Sequence, residues 1–161
     1  MRKIFLLLIA VLMIGCGDQG KKADPGVDLT DEGGSPWVVD IEKLTMDNIN
    51  FRTAKWTGGN LQMAVMEIPA GSDIGLEVHN HNDQFIRVES GTARVVMGKA
   101  RDALDYKQSV GDDWAIFIPS GYWHNIINTG KKPLKVYVIY APIEHAKGTV
   151  HRTKADDPHH H

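Results

Sequence analysis

Residues 84–91, QFIRVESG, alternate strictly, with Gln84, Ile86 and Val88 on one face and Phe85, Arg87 and Glu89 on the other. A period of two belongs to a strand with one face on a core and the other toward water. It predicts Gln84 inside and Arg87 and Glu89 solvated. Short runs of the same kind recur at 51–56, 61–68, 92–97, 116–118, 125–128 and 134–140, separated by turn signals such as GGN at 58–60 and PAG at 69–71. Trp37 to Ile41 reads as the first strand, and 44–48 as a short turn of helix. Residues 98–112 form a longer polar connection to which the pattern assigns no role. Short strands at regular spacing, without a long amphipathic helix, predict an all-β sandwich or jelly roll.

The stretch 71–91, GSDIGLEVHNHNDQFIRVESG, carries polar residues where a core should be. Glu77 and His79 are two apart and share a strand face. The following HNHND reads as a tight hairpin, after which Gln84 lies on the apolar side. A buried polar group without a partner costs about 1–3 kcal/mol, and an unpaired charge costs more. Glu77, His79 and Gln84 together therefore predict a shared partner. A metal ion suits it, since carboxylate, imidazole and amide oxygen are all ligand types. His124, in PSGYWHN, offers a second imidazole in a similar strand-and-turn setting.

These residues resemble the cupins, whose two motifs are G(x)5HxH(x)3–4E(x)6G and G(x)5PxG(x)2H(x)3N. Gly71, Glu77, His79, Gln84 and Gly91 reproduce the first in register, with Glu77 where the family usually has His and Gln84 where it usually has Glu. Pro119, Gly121, His124 and Asn128 reproduce the second, with Asp113 at its opening glycine and Gly111 two residues early, which reads as a one-turn variation. A register using His79 and His81 as the HxH pair breaks the spacing to Gly71 and ranks second. The resemblance extends, over about Trp37 to Asp156, to small single-domain bacterial cupins, some labelled mannose-6-phosphate-isomerase-like. It implies a double-stranded β-helix (jelly-roll) barrel. It also implies a divalent ion, Mn, Fe, Ni, Co or Zn, held by Glu77, His79, Gln84 and His124. Taken singly, His79 or His124 reads as a hydrogen-bonded core or loop histidine; four such residues at the family's spacing read as a site.

Arg2 and Lys3 precede the apolar run Ile4 to Ile14, about half the ~20 residues that span a bilayer. This predicts a signal peptide over 1–15. LMIGC resembles a bacterial lipobox, which implies lipidation of Cys16, a membrane anchor and a cell-envelope location. Cys16 is the only cysteine, so the mature domain can form neither an internal disulfide nor a cysteine zinc site. Residues 16–36 are rich in Gly, Asp and Lys and predict a flexible tether. The domain is expected over 37–156, a size sufficient for one core, followed by a polar tail over 157–161. The formal net charge of −2, which becomes more negative once Arg2 and Lys3 are removed, argues against nucleic acid as a partner.

Function divides into two classes. One is an enzyme acting on a small oxygenated, sugar-like molecule by isomerase, lyase or dioxygenase chemistry; the other is a non-catalytic metal- or sugar-binding domain. Tyr122 and Trp123 are placed at the mouth, Asn128 closing a turn, and Asp83 and His81 near the entrance as the candidates for proton transfer. Glu144, His145 and His151 belong to a tail that either folds back over the barrel or meets a second subunit. Self-association is expected, with Trp37 to Ile41 as an edge able to add to a neighbour's sheet. His159 to His161 have no role in the site.

Overall fold

The computed structural model describes residues 26–158, so the signal peptide, Cys16 and His159 to His161 lie outside the described residues. Ten strands follow one short helix: α1 (Ile41–Asp47), β1 (Arg52–Thr57), β2 (Gln62–Ile68), β3 (Glu77–Val78), β4 (Asp83–Ser90), β5 (Ala93–Gly98), β6 (Tyr106–Val110), β7 (Ala115–Ile118), β8 (Trp123–Asn128), β9 (Leu134–Ala141) and β10 (Val150–His151). They form a six-stranded sheet, β10-β1-β2-β9-β4-β7, and a four-stranded sheet, β3-β8-β5-β6, in which all the pairings are antiparallel. The inward residues of both sheets, among them Ile86, Val88, Val95, Ile126, Val136 and Val138, close one apolar core. This is the expected all-β jelly roll.

The alternation in β4 holds, since Gln84, Ile86 and Val88 are buried. Arg87 and Glu89 do face away from the core, but the Glu89 side chain is only 3% exposed because Arg87 covers it in an ion pair. The expectation that both are solvated is therefore corrected for Glu89.

Other corrections have local causes. Trp37 to Ile41 is not a strand. Trp37 and Ile41 are half-buried while Val38 is 98% exposed, but the run pairs with no strand, and Asp40 caps α1 by accepting from the Lys43 amide at 3.0 Å. The HNHND segment is not a hairpin. β3 pairs with β8 in one sheet and β4 with β9 and β7 in the other, so the segment crosses between sheets. The connection at 98–112 contains β6, whose one buried residue is Val110. Such a polar edge strand has no apolar alternation to read.

The domain also extends past both expected boundaries. The Asp31 carboxylate accepts from the Thr57 amide (3.0 Å), the Thr57 hydroxyl (2.6 Å) and the Gly148 amide (2.9 Å), and the buried Lys55 ammonium donates to the Asp28 carbonyl at 2.9 Å. Residues 28–35 are thus pinned to the barrel and are not tether. At the other end Asp157 is buried and paired with the buried Arg52, so it is part of the fold and not of a polar tail.

Asp113 occupies the opening glycine position of the second motif with φ of 69°. Aspartate tolerates that left-handed backbone better than most residues, and the Arg87 guanidinium donates to its carboxylate at 2.5 Å. Gly111 does not substitute for it; Asp113 itself takes the glycine's conformation.

Candidate metal centre

Strand register places the site. In the four-stranded sheet Glu77 stands opposite His124, which stands opposite Met97. In the facing sheet Gln84 stands opposite both Ile118 and Tyr140. His79 lies one residue past β3, where the crossover begins. Glu77, His79, Gln84 and His124 are all buried.

The ligand atoms of Glu77, His79 and His124 all lie within 4.8 Å of one another, a group able to hold a metal ion. Glu77 Oε1 is 3.3 Å from His79 Nε2 and 3.3 Å from His124 Nε2. Yet Glu77 Oε1, His79 Nε2, His124 Nε2 and Gln84 Oε1 are buried atoms without a hydrogen-bond partner. Close contact without hydrogen-bond alignment is expected of lone pairs aimed at a common point and not at one another. Left unsatisfied, each atom would cost about 1–3 kcal/mol.

The other ring nitrogens are engaged. His79 Nδ1 is 3.2 Å from Glu144 Oε1, and His124 Nδ1 is 3.0 Å from the Tyr122 carbonyl. A proton held at each Nδ1 leaves each Nε2 as a lone pair, the usual outer-shell arrangement of metal-binding imidazoles. Glu144 is itself fixed by a hydrogen bond from the Asn82 amide. These residues fit a metal ion.

Burial would raise the Glu77 carboxyl, but His124, His79 and the Arg52 charge outweigh it and hold the group well below the usual carboxylate range. Burial disfavours a charged His79, but Glu144 and Glu77 outweigh it and raise the ring to about 9. The contact with His79 in turn lowers Glu144 to about 2. A metal ion held there would have to compete with that proton for His79 and displace it.

A cavity of about 350 Å³ opens on this cluster, lined by Glu77, His79, His81, Trp123 and Glu144 among others. Trp123 is thus at the mouth as expected. Tyr122 packs against the core instead. His81 is exposed on the crossover, apart from the converging group. The Asp83 carboxylate accepts from the Ser120 amide at 2.9 Å, tying the two motif loops together, as does the Gly121 amide donating to the His79 carbonyl at 2.8 Å. Asn128 closes its turn: its Nδ2 donates to the carbonyls of Ile68 and Lys132, both at 2.9 Å, and its Oδ1 accepts from the Gly130 amide at 2.9 Å.

The tail folds back over the barrel. Glu144 reaches His79, and His151 in β10 pairs with Arg52 in β1. Sequence reasoning named Glu144 without a role and missed Arg52 and Tyr140. The Tyr140 hydroxyl is buried without a hydrogen-bond partner, its ring lies 5.8 Å from that of His79, and burial pushes it up to about 12. Nothing marked Tyr140, because it alternates correctly in β9 and reads as core. Arg52 could have been noticed as a charge at an inward strand position.

A family model described as "Cupin domain" matches residues 64–140. The chain is 52% identical over 133 residues to the uncharacterized protein YrkC of Bacillus subtilis (strain 168), covering 83% of this chain and 72% of that protein. It is 36% identical over 115 residues to the uncharacterized protein L612 of Acanthamoeba polyphaga mimivirus, covering 71% and 70%. Among solved structures, BH2720 from Bacillus halodurans is 55% identical with a TM-score of 0.78, covering 79% of this chain and 96% of that one. An uncharacterized conserved protein with a double-stranded β-helix domain from Klebsiella pneumoniae shares the fold at 17% identity and a TM-score of 0.55, covering 67% and 91%.

Proposed function

The chain belongs to the cupin family, and from that premise we propose that its barrel holds a divalent metal ion on Glu77, His79, Gln84 and His124 and acts there on a small oxygenated molecule. The observation that carries this reading is the convergence of Glu77, His79 and His124, whose ligand atoms lie within 4.8 Å of one another and lack hydrogen-bond partners; Gln84 Oε1 is likewise buried and unpartnered. A bound ion would supply Lewis-acid polarisation of a substrate oxygen. Glu144 and the Tyr122 carbonyl hold the Nδ1 protons of His79 and His124 and so fix both tautomers. Gln84 contributes a neutral oxygen, which leaves one carboxylate in the set. Trp123 and His81 line the cavity.

Isomerase, lyase or dioxygenase chemistry on a sugar-like substrate belongs to this proposal, and so do lipidation of Cys16, a membrane anchor and an envelope location. Self-association is also included, through the sheet edges β6 or β7 in place of 37–41. A second reading, a non-catalytic binding domain, draws on Asp83, whose carboxylate is occupied by the Ser120 amide and is not held in reserve for proton transfer.

Elemental analysis of the domain without a histidine tail, residues 26–158, tests the metal. The wild type should carry close to one ion per chain, and His79→Ala with His124→Ala should carry none while remaining folded by circular dichroism. A folded wild type that stays metal-free after incubation with Mn, Fe, Ni, Co and Zn would sink the proposal.

A further inference from the structure

The cavity beside the cluster has a charged wall that the ligand set does not explain. β5 ends at Gly98, which pairs with Trp123. The chain then makes a tight turn in which the Ala103 amide donates to the Ala100 carbonyl at 3.1 Å and Ala100 and Ala103 form a bridge. The turn packs so closely on Gly98 that a Cβ there would meet the Ala103 carbonyl oxygen at 1.8 Å. Glycine is therefore required, and the tip of the turn has a defined position.

Arg101 sits at that tip. Its guanidinium lies 5.5 Å from the centre of the Trp123 ring, within cation–π range, and it lines the same cavity as Glu77, His79 and Glu144. The acidic groups of that cavity are already engaged. Glu77 belongs to the converging cluster, and Glu144 is held by His79 and Asn82. Among the described residues no carboxylate forms an ion pair with Arg101. A guanidinium set on an aromatic face, with its fork left for a planar anion, is a carboxylate-recognition element.

We propose that Arg101 selects the ligand of this site, and that the ligand is a small hydroxylated organic acid. Its carboxylate pairs with the Arg101 fork while its hydroxyl oxygens reach the Glu77, His79, Gln84 and His124 cluster. The second half of this assignment rests on the metal reading above; the first half does not. The cation–π contact with Trp123 restricts the guanidinium before the ligand arrives, which lowers the ordering cost of binding. The volume lies within the range of small-molecule sites.

The probes are gluconate and sorbitol, which share a polyhydroxylated chain and differ at the carboxylate. Binding is followed by titration calorimetry on residues 26–158, with metal content measured on each sample. Gluconate should bind the wild type at least 10-fold more tightly than sorbitol. Arg101→Ala should weaken gluconate about 10–100-fold, to the level of sorbitol, as expected for loss of a charge-assisted pair, with metal content unchanged. Arg101→Lys should fall between them, having the charge without the fork. The position is exposed, so the variants should fold. Equal affinity for gluconate and sorbitol, undiminished gluconate binding by Arg101→Ala, or no gluconate binding at millimolar concentration would each overturn the inference. If the protein takes up no metal, the metal reading fails by itself. Gluconate binding that Arg101→Ala abolishes would then still uphold the anion anchor, and its absence would end that too.

Discussion

The C-terminal end of the domain offers a sharp test of its energetics. The Asp157 side chain is 0% exposed and Arg52 is 2% exposed, and the two form a direct ion pair. Substituting Asp157→Ala leaves a guanidinium in the interior that cannot neutralise itself by losing a proton. Removing one partner of a buried pair costs about 3–5 kcal/mol, against a total stability of about 5–15 kcal/mol for a domain. Arg52 retains the negative charge of Glu77, which argues for the lower half of the range. Taking about 4 °C per kcal/mol for a domain of this size, the melting temperature should fall by about 12–16 °C. Urea unfolding followed by circular dichroism should show the midpoint shifting with an unchanged slope. The double substitution Arg52→Met with Asp157→Leu removes both charges and should recover most of the loss, because the pair's desolvation cost disappears with it. A loss below about 1 kcal/mol in Asp157→Ala, measured on a cooperatively unfolding protein, would refute the reasoning and mean that water or another anion reaches Arg52.

Glu144→Ala should leave all four proposed ligands in place but release the Nδ1 side of His79; metal affinity in a chelator competition assay should fall about 10–100-fold without vanishing, and an unchanged affinity would show that Glu144 does not orient the ring. Burial, with the Arg52 charge adding to it, lowers His145 to about 3. The unfolded chain therefore binds the extra proton below about pH 6.5, and stability present above that pH is lost as pH falls toward 3, at up to about 1.4 kcal/mol per pH unit. His145→Gln should flatten that part of the acid limb in urea titrations of chelator-treated protein, and an identical acid limb in wild type and variant would remove His145 from the account. Gln84→Ala should retain the fold and weaken, but not abolish, metal binding, since two imidazoles and a carboxylate remain; complete loss in a folded variant would make Gln84 indispensable.

The alternating strands were legible because burial on one face imposes a period of two on the residues themselves. β4, β8 and β9 carry that signature, and so does the inward position of Gln84. The motif spacing likewise brought Glu77, His79 and His124 forward, because each occupies a fixed offset from a turn glycine or proline. What has no local signature was lost. β6 is a polar edge strand, and the segment 37–41 has β-branched residues but no strand to pair with.

The sequence by itself determined the all-β class, the inward-facing polar residues and the two motifs, since these depend on neighbours a few positions apart. Only the tertiary structure decided that 79–83 crosses between sheets, so that Gln84 belongs to the other sheet from Glu77 and His124. It also brought Glu144 to His79, Asp157 to Arg52 and Arg101 to the cavity of Glu77. Such contacts depend on sheet order and on the path of the returning tail, which pairwise spacing along the chain does not encode.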